Sequence, residues 1–312
     1  MGRLHANVYH QIEEANLVAV CDFHGESSEK YAQKYGVNAY SDIVEMIEKE
    51  AVDVVSLATP TKTHFELGKK LLKAGIHVLI EKPITDNIET ADELISLSED
   101  KGCHLVVGHI ERFNPAVGKL KSLVDSGELG EITSILARRV GLFPTRIKDA
   151  NVVVDLAVHD IDIMAYLLGR YPQKVTGHSG RALASDRDDY ASVFLDFGKQ
   201  SGFIQANWIT PVKIRTLTVT GTAGYAELNY MSQSLTLYRS KVEVSVDQFG
   251  QESIQLDEAV PVNIEIERKD PITEEICHFI QVVKGKKEPL VNGSAGRNSL
   301  DIALKAIHEM GE

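Results

Sequence analysis

The chain has 312 residues, too many for one ordinary core and suited to two domains of common size. Hydrophobic residues at 43% and charged residues at 25% describe a globular protein and exclude a disordered or membrane-embedded one. A formal charge of -12 argues against nucleic acid as a partner, because phosphate binding needs a net basic surface. Apolar runs such as residues 52–57, interrupted by Asp53, fall far short of the roughly 20 residues of a membrane span. The N-terminus shows no secretory pattern, so a cytoplasmic protein with no membrane partner is expected. Cys21, Cys103 and Cys277 are odd in number and widely spaced, which predicts buried, reduced thiols rather than a disulfide framework or a zinc site.

Residues 1–109 alternate amphipathic helical stretches with short β-branched runs, the pattern of a doubly wound parallel sheet. Strands are expected at residues 17–21, 52–58, 77–80 and 104–108, with helices near 27–35, 41–49, 63–73 and 88–101. Each strand ends beside a polar or Gly/Pro element, where open α/β sheets gather ligands. A linking helix over residues 115–125 leads into a second domain, residues 110–312, of α+β type. After Gly127-Glu128-Leu129-Gly130 come a strand at 131–139, an irregular basic loop and an apolar helix over 152–168. Strands follow at 174–178, 190–197, 202–208, 214–220, 225–230 and 234–238, and Gly221-Thr222-Ala223-Gly224 has the composition of a hairpin connection. Such a meander makes an open, mostly antiparallel sheet covered by helices on one face, the other face being suited to a homodimer or homotetramer. Helices near 272–283 and 299–310 close the chain, the C-terminal helix packing back.

Gly2-Arg3-Leu4-His5 opens a helix, and Asp22 ends the next strand 20 residues after Gly2. This spacing suits a pyrophosphate on a helix N-terminus and a carboxylate on the adenine ribose. The plainer alternatives are a helix that starts near a glycine, and a turn residue or cap. Phe23-His24 offers no arginine for a 2′-phosphate, which favours NAD over NADP. A dinucleotide fold also has a central first strand and an earlier part of the glycine turn. Neither is visible, so the reading expects a first strand that is missing here and on which NAD binding depends.

Lys82 follows an apolar strand and precedes a proline, so it stands at a strand terminus, either as a catalytic lysine or as a surface lysine beside Glu81. Asp155 and His159, four apart, share one helix face, with Asp162 a turn further on. The helix is apolar nearly all round, so its polar groups are either functional or part of a structural network. No further ligands stand at metal spacing, and no metal is expected. Arg138, Arg139, Arg146 and Lys148 form a basic cluster that can fork a diphosphate or simply line a solvated loop and strand face. Arg112 and Asn114, just past the last Rossmann strand, either bind substrate or cap the helix at Pro115.

Thr59-Pro60, His64, the run from Ala74 to Glu81-Lys82-Pro83, and Asp155-Leu156-Ala157-Val158-His159-Asp160-Ile161-Asp162 resemble the glucose-fructose oxidoreductase / inositol dehydrogenase (Gfo/Idh/MocA) family. The likeness covers nearly the whole chain, including Asn207-Trp208 and the 221–224 hairpin. It implies an NAD-dependent dehydrogenase acting on a sugar hydroxyl. Thr59, Pro60, His64, Glu81 and Lys82 would then join Gly2, Arg3 and Asp22 around the cofactor, with a cis bond before Pro83. Lys82 would stabilise the reacting oxygen and His159 would be the general base, since an unperturbed imidazole pKa of about 6.5 suits that task, while Asp155 would orient it or bind a neighbouring hydroxyl. Within the family, residues 108–115 and 138–149 look most like enzymes that oxidise C3 of UDP-N-acetylglucosamine. Arg112, Asn114, Arg139, Arg146 and Lys148 would be the substrate-binding set. The alternatives are a dehydrogenase of a free polyol such as inositol and a non-catalytic NAD-binding regulatory protein. Two departures stand out: the phosphate loop lacks its beginning, and Val152-Val153-Val154 replaces a glycine pair that many members carry.

Overall fold

The computed structural model describes residues 1–143, 151–184, 186–239, 242–246, 252–256 and 259–311. These form two compact units, Met1–Phe113 with Asp270–Asp301, and Asn114–Lys269 with Ile302–Glu312.

The first unit begins with α1 (Gly2–Gln11), β1 (Ala19–Cys21), α2 (Gly25–Tyr35), β2 (Asn38–Tyr40) and α3 (Ile43–Lys49). It continues through β3 (Val54–Leu57), α4 (Thr61–Lys73), β4 (His77–Glu81), α5 (Ile88–Asp100) and β5 (Leu105–Gly108). Local chemistry sets the helix ends. Asp42 accepts the amide of Val44 at the start of α3, Asn87 accepts that of Thr90 at the start of α5, and Gly36 closes α2 in the left-handed conformation with φ 69°. All the strand pairs are parallel, but they lie in two sheets, β1-β2 and β3-β4-β5. Val78, Leu79 and Ile80 of β4 and Val106 and Val107 of β5 are fully buried, as expected where helices cover both faces of a parallel sheet. β2 is absent from the sequence reading because three residues carry no readable alternation.

In the second unit, α6 (Pro115–Asp125) and β6 (Ile132–Val140) precede a π-helical turn, Val153–Ala157, that runs into α7 (Val158–Leu168). The strands β7 (Lys174–Gly180), β8 (Tyr190–Asp196), β9 (Ser201–Asn207), β10 (Ile214–Gly221), β11 (Gly224–Asn229) and β12 (Ser234–Arg239) follow. Beyond them lie a hairpin of β13 (Val242–Val246) and β14 (Glu252–Leu256), then β15 (Pro261–Ile264), none of which the sequence pattern announces. Eight strands share one sheet in the order β15-β12-β11-β10-β6-β9-β8-β7, antiparallel except for the pair β6-β9. Ile135, Ala137, Val193, Ile204, Leu217 and Val219 of this sheet join Leu120 of α6 and Ile161 and Met164 of α7 in one core. Alternate residues on the opposite face, Leu136 and Phe203 among them, are exposed.

The chain then returns to the first unit with α8 (Pro271–Val283) and the start of α9 (Gly293–Glu309). Ile276, Phe279 and Ile280 of α8 pack with Val8, Tyr9, Leu79 and Val106. The units therefore part at Phe113/Asn114 and the first is discontinuous, unlike the simple cut after residue 109. An amphipathic stripe shows that α8 buries one face, but not against which partner.

The cysteines are free thiols as the composition suggests, but Cys21 is exposed and Cys103 and Cys277 are half-buried. Cys21 is the last residue of a three-residue strand. Shielding of its sulfur, reinforced by the carboxylates of Asp42 and Asp22, still pushes its thiol up to about 11. No helix among the described residues is long and apolar enough to cross a membrane.

Candidate active site

In the first unit, polar residues stand at the carboxyl ends of β1, β3 and β4, as the alternating α/β pattern requires. Asp22 follows β1; its backbone amide donates to Tyr40 O (3.0 Å) and its Oδ1 accepts from His24 N (2.9 Å). Thr59 and Pro60 follow β3, where the Thr63 hydroxyl reaches Thr59 Oγ1 and Pro60 O, each at 2.8 Å. His64 on α4 is buried and braces two turns, its Nδ1 lying 2.9 Å from Pro83 O and its Nε2 2.9 Å from Thr59 O. Lys82 follows β4, and the Lys82–Pro83 bond is cis.

Behind Lys82 the interior is charged. His5 Nε2 donates to Glu81 Oε1 at 2.9 Å, and both side chains are buried. Glu275 on α8 is 0% exposed, and neither of its carboxylate oxygens has a hydrogen-bond partner among the described residues. Burial, and then the negative charge of Glu81, pushes the Glu275 carboxyl well above the usual range and favours its neutral acid. The sequence holds a signal for this residue: Ile272, Glu275, Ile276 and Phe279 follow helical spacing, so Glu275 lies on the buried stripe of α8.

The residues of this half fit a dinucleotide. The N-terminus of α1 has no side-chain cap and no acidic residue in its first turn, so its orphan amides, next to Gly2 and Arg3, suit a pyrophosphate. Asp22 stands at the strand end that suits a ribose, and Thr59, Pro60 and Lys82 stand at the ends of β3 and β4.

In the second unit, Asn151 Oδ1 accepts from the amides of Val153 and Val154, both at 3.1 Å, and so starts the π-helical turn that carries Asp155. A π turn inside a helix is frequent at functional sites. His159 follows in the first turn of α7; it and Asp155 are half-buried, whereas Asp160 and Asp162 are fully buried. Val152 and Val153 belong to the core.

The two described members of the basic cluster, Arg138 and Arg139, do not stand together. Arg138 and Arg139 point to opposite faces of β6, as adjacent strand residues must. Arg138 Nε donates to Gln205 Oε1 at 3.1 Å on the exposed face. Arg139 is buried and forks Asp160, with Nε to Oδ2 at 2.7 Å and Nη2 to Oδ1 at 3.0 Å, its guanidinium 4.8 Å over the ring of Tyr230. This internal pair engages the guanidinium that the sequence reading sets among the substrate ligands. Arg146 and Lys148 lie outside the described residues. Arg112 Nη1 donates to Leu290 O at 3.0 Å within the first unit. Asn114 Oδ1 accepts from Ala116 N at 3.1 Å while Nδ2 donates to Tyr230 O at 3.0 Å, so Asn114 caps the start of α6.

Comparison with known proteins bears on this geometry. Residues 1–109 match a family model described as an oxidoreductase family with an NAD-binding Rossmann fold, and residues 117–227 match the GFO/IDH/MocA C-terminal domain. The UDP-N-acetylglucosamine 3-dehydrogenase of Acidithiobacillus ferrooxidans is 28% identical over 98% of this chain and 92% of its own length. A solved structure of that enzyme superimposes with a TM-score of 0.86 at 26% identity, covering 98% of this chain and 93% of that one. The scyllo-inositol 2-dehydrogenase (NAD(+)) of Bacillus subtilis is 27% identical over 99% of this chain and 90% of its own.

Proposed function

We propose that this chain, which belongs to the Gfo/Idh/MocA oxidoreductase family, oxidises the C3 hydroxyl of UDP-N-acetylglucosamine with NAD. The family makes it an NAD-dependent dehydrogenase. The sugar is inferred from its likeness, almost end to end, to a UDP-N-acetylglucosamine 3-dehydrogenase.

NAD, when bound, supplies the acceptor for the hydride leaving the carbinol carbon. The remaining work falls to side chains of this chain. His159 removes the hydroxyl proton, and Asp155, one helical turn before it, orients the imidazole or binds a neighbouring hydroxyl. Lys82 donates a hydrogen bond to the same oxygen and stabilises the negative charge that develops there. With His5 donating to the Glu81 carboxylate, the acidic neighbour of Lys82 has its own partner. Gly2, Arg3, Asp22, Thr59 and Pro60 hold the cofactor, and His64 fixes the turns on either side of it.

A free polyol is the second reading, supported by the inositol dehydrogenase relative and by the internal pairing of Arg139, which removes one cation from the diphosphate set. Steady-state NADH formation separates the two: UDP-N-acetylglucosamine should be turned over with kcat/KM at least about 100-fold above that of myo-inositol, a gap of about 2.7 kcal/mol. The reverse order would make the polyol the substrate. The exposed face of the large sheet, with Leu136 and Phe203, is the proposed surface of a homodimer or homotetramer.

A further inference from the structure

Two residues of the second unit carry buried donors with no acceptor among the described residues: Trp208 at Nε1, and Arg187 at both Nε and Nη1. Trp208 is 3% exposed. The Arg187 side chain is 18% exposed, and the carboxylate of its chain neighbour Asp186 lies 3.8 Å from Nε, beyond hydrogen-bond reach and largely in solvent. Both residues flank one ring. The indole of Trp208 meets Phe143 edge-on at 5.6 Å between centroids, and the Arg187 guanidinium carbon lies 6.0 Å from the same ring.

A buried donor without a partner costs about 1–3 kcal/mol, and a charged one more. The fold nevertheless builds the place firmly. The Asp189 carboxylate accepts from the amides of Ala182 (2.9 Å), Leu183 (2.6 Å) and Ala184 (2.7 Å). Burial works against its charge, yet these amides hold the Asp189 carboxyl below its ordinary range. Trp208 N donates to Asp189 O at 2.9 Å, and Val152 N donates to Asp188 O at 3.2 Å. Arg187 is thus tied, through its neighbour Asp188, to the start of the turn that carries Asp155. Donors held open beside an aromatic ring, with a positive charge among them, suit an oxyanion, and a planar guanidinium suits phosphate in particular.

We propose that Arg187 and Nε1 of Trp208 form an oxyanion subsite that takes phosphate oxygens of the substrate, a role that rests on the nucleotide-sugar reading above. Arg187 lies outside every motif of the sequence, and it supplies a cation that Arg139 does not. Calorimetric titration of UDP into the whole protein tests it, alongside KM for UDP-N-acetylglucosamine, the affinity for NAD and the Tm. Arg187→Met should weaken UDP binding about 10- to 100-fold, in line with a charge-assisted hydrogen bond, and Trp208→Phe, which keeps the ring contact, about 5- to 10-fold. NAD affinity and Tm should not fall in either variant, because neither lost donor holds the fold together. UDP affinity within twofold of wild type in either variant overturns the proposal, as does a wild-type protein that binds no UDP. If wild type binds UDP, Arg187→Met loses it and UDP-N-acetylglucosamine is not oxidised, the subsite stands and the proposed substrate falls. If Arg187→Met oxidises UDP-N-acetylglucosamine with an unchanged KM, the substrate stands and the subsite falls.

Discussion

Glu275 illustrates how single side chains bear on the account. Its carboxyl is raised by burial and by Glu81, so over a window above the ordinary glutamate value the folded state binds a proton that the unfolded state has lost. The associated stability is fully present below about pH 4.3 and declines, at up to about 1.4 kcal/mol per pH unit, as pH rises towards the folded value. Glu275→Gln keeps the shape and removes the titration. The difference in Tm, variant minus wild type, should therefore become more positive between about pH 5 and pH 8. A difference that stays constant with pH would show that Glu275 is not held protonated. Arg139 marks where sequence reasoning stops at this scale. Strand alternation says that Arg138 and Arg139 face opposite ways, but two adjacent arginines give no sign of which one turns in. The answer lies in Asp160, which α7 brings beneath β6.

At the scale of elements, the places of the candidate side chains were legible where the pattern is local. The polar strand ends, Lys82 before a proline, and the i,i+4 pair of Asp155 and His159 all follow from residues within a few positions of each other. The π turn was not legible, because it depends on Asn151 capping and on the packing of Val152 and Val153. The unanticipated β15 pairs with β12 across a long separation, and only the sheet edge reveals it. Close approaches can be tested directly. A Cβ on Gly221, at the end of β10, would stand 2.1 Å from Leu129 O, a backbone atom that cannot turn aside. Gly221→Ala should lower stability by about 2 kcal/mol and Tm by several degrees. Gly118 on α6 has open space at its Cβ position. Gly118→Ala should therefore be stabilising, by up to about 1 kcal/mol, through helix propensity. Equal Tm values for the two variants would contradict this description of the α6 and β10 surroundings.

For the whole molecule, the layer pattern is readable in outline, namely parallel α/β first and a meander with helices second. The return of α8 to the first unit is not, because that choice is made by the complementarity of Ile276, Phe279 and Ile280 to Val8, Tyr9, Leu79 and Val106. The large sheet buries one face in its own core and leaves Leu136 and Phe203 on the other. If this face joins copies of the chain, light scattering after size exclusion should give a dimer or tetramer for wild type and the single-chain mass for Phe203→Glu. A wild-type protein that elutes as a single chain removes the proposed interface.

The central claim is hydride transfer from C3 of the sugar, with Lys82 and His159 acting at the C3 oxygen. UDP-N-acetylglucosamine carrying deuterium at C3, incubated with NAD and the protein, tests it most directly by mass spectrometry of the reduced cofactor. The account predicts that the deuterium appears in the reduced nicotinamide and that Lys82→Met and His159→Asn each slow its transfer by about 100- to 10,000-fold. Reduced cofactor without deuterium, or transfer at the wild-type rate in both variants, would contradict it.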